Sequence, residues 1–202
     1  MIEEQTPGWV ESAYLNAEGS ISHDMRASLF ISSVHEFIEC TRQNVSFLDF
    51  VLHGQTEVNE IVNFFSSCTS EFIIIPTVLK PMSRVSIGHM TLIIVDKINQ
   101  RIVYYNSTGS SPLHESRPIK NIGTDIGVLT LLCRLQSLLS FEILYSPRQD
   151  QAFYSIFTCG RFSKQFIERY VLFPHLSLLV PIGMWSNVNN MIWSMSHKLH
   201  VI

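Results

Sequence analysis

The sequence predicts an α+β fold in which a small mixed or antiparallel sheet is flanked by helices on both sides. Residues 71–77, 90–95 and 102–105 form dense β-branched and aromatic runs bounded by polar residues, which is typical of buried strands. Several other segments repeat apolar residues at helical spacing, as helices that cover a sheet do. We interpret residues 1–202 as one domain, with a helical region over 1–70, a core over 71–172 and a C-terminal helical segment over 173–202.

Composition limits the classes of function. The 202 residues carry a net charge of −3, and no stretch clusters Lys and Arg, which argues against nucleic-acid binding. The four cysteines form no CxxC pair, which disfavours a zinc site or a disulfide scaffold. The N-terminus lacks the pattern of a secretory signal, and prolines interrupt the long uncharged stretch over 170–196. We therefore expect a cytosolic monomer without a membrane span.

The elements follow from periodicity and punctuation. A short helix or turn is predicted over 9–15, and Pro76 is expected to end the strand over 71–77. A polar loop is predicted over 107–124 and another over 147–158. Helices are predicted over 22–42, 56–68, 125–140, 159–172 and 184–199, with a further strand over 141–145. Cys40, Cys68 and Cys133 are interpreted as core residues.

A buried hairpin over 88–109 organises the chain. Its polar ends are His89 and Asn106, which are 17 positions apart. A two-residue loop would place them directly opposite each other, and a four-residue loop would make them diagonal neighbours on the same face; only an odd-length loop would separate them. Cross-strand neighbours have Cβ atoms about 5 Å apart and diagonal neighbours about 7 Å apart. The hairpin therefore predicts an imidazole oriented by an amide oxygen, which is half of a nucleophilic site.

Cys159 supplies the candidate thiol. Apolar residues recur at spacings of 3, 4 and 4 from Cys159 to Tyr170, so the thiol stands in the first turn of a helix with a buried face. The amide dipoles at a helix N-terminus favour a thiolate and lower its pKa. The adjacent Gly160 allows close approach of another backbone or of a substrate.

The order of these motifs resembles the ubiquitin-like-protease, or adenain-like, cysteine peptidases of the CE clan. That family has an apolar strand ending in Ile-Pro, a His-Trp-x-Leu strand, an acid in a Tyr-x-Asp-Ser context, a Gln, and Asp-Cys-Gly. The matching stretches here are 72–76, 89–92, 104–107 and 158–160. The resemblance spans roughly residues 72–170 and extends weakly to Trp9. It implies a papain-like or adenain-like protease fold with the catalytic Cys at a helix N-terminus.

The resemblance also implies roles for individual residues. Cys159 would be the nucleophile, His89 the general base and Asn106 the residue that orients His89, in place of the family's usual Asp. Gln149 or Gln151 would supply the oxyanion hole, because Phe153, at the family's usual separation from the Cys, cannot donate a hydrogen bond. Two further departures are Met90 in place of the family's Trp and Thr158 in place of its Asp. Trp9 and Met90 would wall a narrow substrate cleft.

What the resemblance implies about function is a cysteine isopeptidase that needs no metal or cofactor. Its substrate would be the extended C-terminal tail of ubiquitin or a ubiquitin-like protein, recognised through residues 22–57 and 107–124. The divergence from the eukaryotic motif suggests a bacterial or viral effector, secreted into a host cell and contributing to virulence.

Two alternatives remain open from the sequence. One branch of the clan acetylates Ser, Thr or Lys with acetyl-CoA, although its Glu and its basic phosphate-binding surface are not visible in this chain. The loss of the family's Asp, Trp and well-spaced Gln is also compatible with a catalytically inactive module that binds a ubiquitin-like tail.

Overall fold

The computed structural model describes residues 23–53, 56–81, 88–123, 125–151, 158–175 and 179–182. Within these ranges the chain forms a six-stranded mixed sheet and four α-helices, which is compatible with the predicted α+β class. The helices are α1 (His23–Thr41), α2 (Val58–Ser67), α3 (Val128–Leu139) and α4 (Cys159–Leu172). The strands are β1 (Val45–Phe47), β2 (Phe72–Leu79), β3 (His89–Asp96), β4 (Arg101–Tyr105), β5 (Glu142–Tyr145) and β6 (Val180–Pro181), and 3₁₀ turns span Asp49–Leu52 and Pro112–His114.

The strands lie in the sheet in chain order, from β1 to β6. The pairs β1–β2 and β4–β5 are parallel, and the other three pairs are antiparallel. A parallel pair needs a crossover, and α2 and α3 are the helices that make these two connections. Both crossovers move to the next strand in the same direction across the sheet, and the strands that they join all run the same way. Because both crossovers have the same handedness, α2 and α3 lie on one face of the sheet.

Strand side chains alternate between two apolar clusters, one on each face of the sheet. The first cluster joins α2 and α3 to side chains such as Ile75, Ile93 and Tyr104. The second joins α1 and α4 to side chains such as Leu92 and Tyr105. β2, β3 and β4 are thus covered on both faces, which explains why their sequences are continuous apolar runs rather than alternating ones.

The expectation that Pro76 ends its strand is wrong. β2 continues to Leu79, and Pro76 pairs with Leu92 of β3. The backbone of Ile74 accepts a hydrogen bond from Leu48 N on the β1 side, and Pro76 faces the same side two residues later. β1 has ended at that level, so the missing N–H of proline removes no bond from the sheet. The side chain of Asn121 fills the gap by donating to the Pro76 carbonyl at 3.1 Å.

Most other predicted elements are present with boundaries shifted by three residues or fewer at each end. The helix that begins at Cys159 has the predicted bounds 159–172. β1 and β6 were not predicted, because three and two residues are too few to show periodicity. The predicted helices over 9–15 and 184–199 lie outside the described residues.

The cysteines differ from the sequence interpretation in one respect. Cys40 is exposed, so its assignment to the core is wrong: it lies on the outward side of α1. Cys68 is half-buried and packs at the edge of the α2–α3 cluster, and Cys133 is also half-buried.

The part of the chain that the structure describes contains neither a membrane-spanning helix nor a metal-binding cluster. No helix there has the length and apolar character needed to cross a bilayer. No group of His, Cys, Asp and Glu side chains there is arranged to hold a metal ion.

Candidate active site

The β3–β4 hairpin brings His89 and Asn106 together. Asp96 pairs with Arg101, so the loop has four residues and the diagonal arrangement is the one that forms. His89 Nε2 lies 2.8 Å from Asn106 Oδ1. The sequence therefore predicted the phase of the hairpin correctly, and the structure selects between the two loop lengths that it left open.

Thr108 fixes which way the Asn106 amide points. Its backbone N–H lies 3.0 Å from Asn106 Oδ1 and its hydroxyl donates to the same atom at 2.8 Å. A backbone N–H can only donate, so the atom it meets must be the amide oxygen. His89 Nε2 facing that oxygen must then carry the proton, which leaves Nδ1 as the basic nitrogen of the neutral ring.

The Asn106 side chain is buried and also contacts Tyr104. Only 1% of it is exposed, and its Nδ2 lies 3.4 Å from the hydroxyl of Tyr104, which is fully buried. Deeper on the same face, the hydroxyls of Thr77 and Thr91 bond across β2 and β3 at 2.5 Å. A buried polar group this well satisfied costs little and holds one rotamer, so the orienting amide is rigid.

Two charged residues from the loop after β4 act on His89. Arg117 forms a two-pronged ion pair with Glu115, through Nε at 2.8 Å and Nη2 at 2.6 Å. Burial lowers the pKa of His89 and Arg117 lowers it further, whereas the Asn106 hydrogen bond and Glu115 oppose this. Burial alone would raise the pKa of Glu115, but its bonds to Arg117 lower it, so this carboxylate stays ionised. The net effect on His89 favours the neutral base.

Cys159 is the first residue of α4 and is half-buried. Two contacts orient this helix along the hairpin. The Tyr170 hydroxyl donates to Asp96 Oδ2 at 2.7 Å, at the turn end of the hairpin, and the Phe166 ring stacks on Tyr105 with centroids 4.1 Å apart, towards the open end. Cys159 precedes Phe166 by seven residues, which is about 10 Å along a helix axis. The N-terminal end of α4 is thus directed to the end of the hairpin that carries His89.

The helix and the imidazole belong to different faces of the sheet. Strand alternation puts His89 and Asn106 on the face of α2 and α3, whereas α4 packs on the other face. Because His89 begins its strand and Asn106 follows the end of its own, both lie at the rim of the sheet. A site that includes Cys159 would therefore lie over the strand ends.

The two glutamines considered for the oxyanion hole have different environments. Gln151 is buried, with 6% exposed, and its Oε1 accepts a hydrogen bond from the hydroxyl of Ser107 at 2.6 Å. Gln149 is exposed, and its Nε2 donates to the Gln151 carbonyl at 3.3 Å. Gln151 is therefore the glutamine whose side chain is attached to the residue that directly follows Asn106.

The remaining predicted site residues are only partly described. Met90 is half-buried and packs against the α1–α4 cluster, one position from His89 and on the opposite face. Trp9 and Phe153 lie outside the described residues. Thr158 is the N-cap residue of α4, and its carbonyl accepts from Phe162 N at 3.1 Å.

Sequence reasoning missed Thr108, Ser107, Glu115 and Arg117 as contributors to this site. Thr108 and Ser107 directly follow Asn106, and a polar run after a buried strand is a usable signal for them. Glu115 and Arg117 give no such signal, because only the folding of their loop brings them near His89.

A second thiol offers a useful contrast. Burial alone would raise the pKa of Cys68, but hydrogen bonds with Ser46 and Ser70 and the charge of Lys97 lower it below its ordinary value. Lys97 belongs to the hairpin turn and donates to the Cys68 carbonyl at 2.5 Å. Cys68 therefore lies at the end of the hairpin remote from His89, which makes it a matched control for Cys159.

Comparisons with known proteins add little detail. No protein-family model and no curated protein sequence matches the chain. Among solved structures, ChlaDub1 from Chlamydia trachomatis is similar over 60% of this chain, with a TM-score of 0.40 and 15% identity. The likeness spans 57% of that chain, which is less than two thirds of its length. The roles given to Cys159, His89, Asn106 and the two glutamines accordingly remain predictions.

Proposed function

We propose that this protein is a cysteine isopeptidase that removes ubiquitin or a ubiquitin-like modifier through Cys159, His89 and Asn106. The observation that carries the proposal is the 2.8 Å contact of His89 Nε2 with an Asn106 oxygen whose identity is fixed by Thr108. An imidazole held in one tautomer by an amide is the arrangement that nucleophilic cysteine sites use. The direction of α4 supports Cys159 as the partner thiol, in an adenain-like protease fold.

In the proposed reaction the Cys159 thiol gives its proton to His89 Nδ1, and the thiolate attacks the carbonyl carbon of the isopeptide bond. A carbon–sulfur bond forms and the carbonyl oxygen becomes an oxyanion, which the Cys159 backbone N–H and the Gln151 amide stabilise. The carbon–nitrogen bond then breaks, and the His89 imidazolium protonates the leaving lysine amine. Water, deprotonated by His89, hydrolyses the thioester and restores the free thiol.

The surroundings of His89 favour the protonation states that this reaction needs. Burial lowers the pKa of His89, so the ring is neutral and ready to accept a proton at neutral pH. Asn106 stabilises the transient imidazolium through its oxygen dipole, less strongly than a carboxylate would. The proposed enzyme should therefore turn over more slowly than one with Asp at this position.

The test is covalent capture by a panel of ubiquitin and ubiquitin-like modifiers that carry a C-terminal electrophile. We expect an adduct with one modifier, lost in Cys159→Ala and retained in Cys68→Ala, which removes a thiol of comparable exposure at the other end of the hairpin. An adduct that survives Cys159→Ala would reject the assigned nucleophile. If folded protein forms no adduct with any probe, the isopeptidase proposal fails; labelling by acetyl-CoA would then indicate acyl transfer, and reversible binding of a modifier would indicate an inactive binding module.

A further inference from the structure

We infer that Ser107 is a positioning residue for Gln151, so that the dipeptide Asn106-Ser107 aligns the general base and the oxyanion donor together. This inference rests on the proposed function and assigns a role to a side chain outside the triad. Asn106 holds His89, and the next residue holds the glutamine. One strand end would thus set the geometry of both halves of the site.

The side-chain contact is short and buried. The Ser107 hydroxyl donates to Gln151 Oε1 at 2.6 Å, and the two residues are 0% and 6% exposed. An amide whose oxygen faces a fixed hydroxyl turns its two N–H donors the other way, which is the end that an oxyanion requires. Away from water such a hydrogen bond holds its partners in a single arrangement.

The backbone of the same two segments is also joined. The Ser107 carbonyl accepts from both Asp150 N at 2.9 Å and Gln151 N at 2.8 Å. Two residues earlier, the Tyr105 hydroxyl donates to Asp150 Oδ2 at 2.9 Å. Gln151 is therefore anchored by main chain and side chain to the end of β4, 44 residues away in sequence.

Gly109 shows how closely the segments approach. It has φ of +74°, and a Cβ there would lie 2.6 Å from the Pro147 carbonyl oxygen and 3.1 Å from Gln149 N. Both the backbone angle and the lack of space exclude a side chain. The turn over 106–109 and the segment over 147–151 are therefore fitted together, and this fit determines where Gln151 lies.

The test compares turnover with thiol reactivity. In Ser107→Ala we expect kcat for cleaving the isopeptide bond of the modifier identified by capture to fall about tenfold, with KM nearly unchanged. One oxyanion donor is worth about 10²–10³ in rate, and here the donor is misplaced rather than removed. Alkylation of Cys159 by iodoacetamide should be unchanged, because it needs the His89–thiol pair and no oxyanion hole. Ser66→Ala, an exposed serine on α2, is the matched control.

A double-mutant cycle identifies the route of the effect. If Ser107 acts through Gln151, Ser107→Ala should cost nothing further in a Gln151→Ala background. Full additivity, an unchanged kcat, or a parallel loss of alkylation would each overturn the inference.

Should Ser107→Ala not fold, Gln151→Met provides a second route. It keeps a side chain of similar length and removes the amide donors, so it should lower kcat while Cys159 alkylation persists; loss of both, or of neither, counts against the inference. Wild-type protein that cleaves no modifier would instead reject the proposed function, so the two failures can be told apart.

Discussion

The two ends of the β3–β4 hairpin each carry a polar side chain that gathers several hydrogen bonds, yet they differ in what they do. At the turn end, Asp96 is fully buried and accepts from Asn99 N, Asn99 Nδ2 and the Tyr170 hydroxyl at 2.7–2.9 Å. At the open end, Asn106 accepts from Thr108 and from an imidazole that is only partly buried. The carboxyl group at the turn is structural, and the amide at the open end is the one placed beside an imidazole.

This comparison shows that the number of hydrogen bonds does not identify a functional group. Asp96 is satisfied entirely by donors that cannot change protonation at neutral pH, so it stabilises the turn and attaches α4. Asn106 holds an imidazole whose pKa is lowered by burial and which lies at the rim of the sheet. Changes at the turn end should therefore alter stability, and changes at the open end should alter activity.

The largest effect is expected from Asp96→Ala. It would leave the buried Tyr170 hydroxyl without its acceptor, which costs about 1–3 kcal/mol. It would also remove two hydrogen bonds from the half-buried Asn99, each worth about 1 kcal/mol. We expect the free energy of unfolding in urea to fall by about 3–4 kcal/mol. Ile98→Ala, at an exposed position in the same turn, is the control. A midpoint equal to wild type would show that Asp96 is not a structural anchor.

Asn106→Ala tests the other end. The imidazole would lose its orienting acceptor, and positioned acid–base groups contribute about 10²–10⁴ to rate. We expect kcat to fall by about 10²-fold, with a smaller loss of stability than in Asp96→Ala, because the donors from Thr108 and His89 are half-buried and can bond to water instead. Asn106→Asp should retain more activity, because a carboxylate oxygen accepts from the same donors. Equal activity of wild type and Asn106→Ala would reject the orienting role.

Tyr170→Phe isolates the contact between α4 and the hairpin turn. It removes a hydrogen bond to a buried carboxylate, and such bonds contribute about 1.5–3 kcal/mol. A loss near the lower limit, about 1.5 kcal/mol, is expected because both Asn99 donors remain on Asp96. Urea denaturation measures it. The rate of Cys159 alkylation in the folded variant should match that of wild type, and a large change would mean that the turn end also controls the site.

Two variants of Thr108 separate the effect of shape from that of hydrogen bonding. Thr108→Val keeps the shape of the side chain, and Thr108→Ser removes only the methyl group. Valine removes the hydroxyl that bonds to Asn106 Oδ1, whereas serine keeps it. A neutral hydrogen bond is worth about 1 kcal/mol, so kcat should fall about fivefold in the valine variant and much less in the serine variant. The opposite order would indicate that the methyl group, rather than the hydroxyl, matters.

The smallest effect concerns pH. An unperturbed histidine has a pKa of about 6.5, which applies to the unfolded chain, and burial lowers the pKa of His89 in the folded one. The unfolded state therefore binds a proton first, so this contribution to stability is complete above the unfolded pKa and is lost as pH falls from about 7 through the folded value. The difference in unfolding free energy between wild type and His89→Gln should shrink over that range. A difference independent of pH would contradict the lowered pKa.

Some features of the fold could be predicted because they depend on local pattern. The apolar spacing from Cys159 to Tyr170 defines α4, and the paired runs on either side of residues 96–101 define the hairpin. The continuation of β2 through Pro76 was mispredicted, because a proline is tolerated only where the neighbouring strand has ended, and the position of β1 is not a local property.

By itself the sequence determined the helix that starts at Cys159, the hairpin and the phase that pairs His89 with Asn106, since side-chain alternation along a strand has a fixed period of two. The tertiary structure alone decided the four-residue loop, the attachment of Gln151 to Ser107 and the approach of Glu115 and Arg117 to His89. The contacts of Gln151, Glu115 and Arg117 join residues that are distant in sequence, and they depend on how loops close over the sheet, which no local spacing encodes. The loop length stayed open because both even lengths keep His89 and Asn106 on the same face.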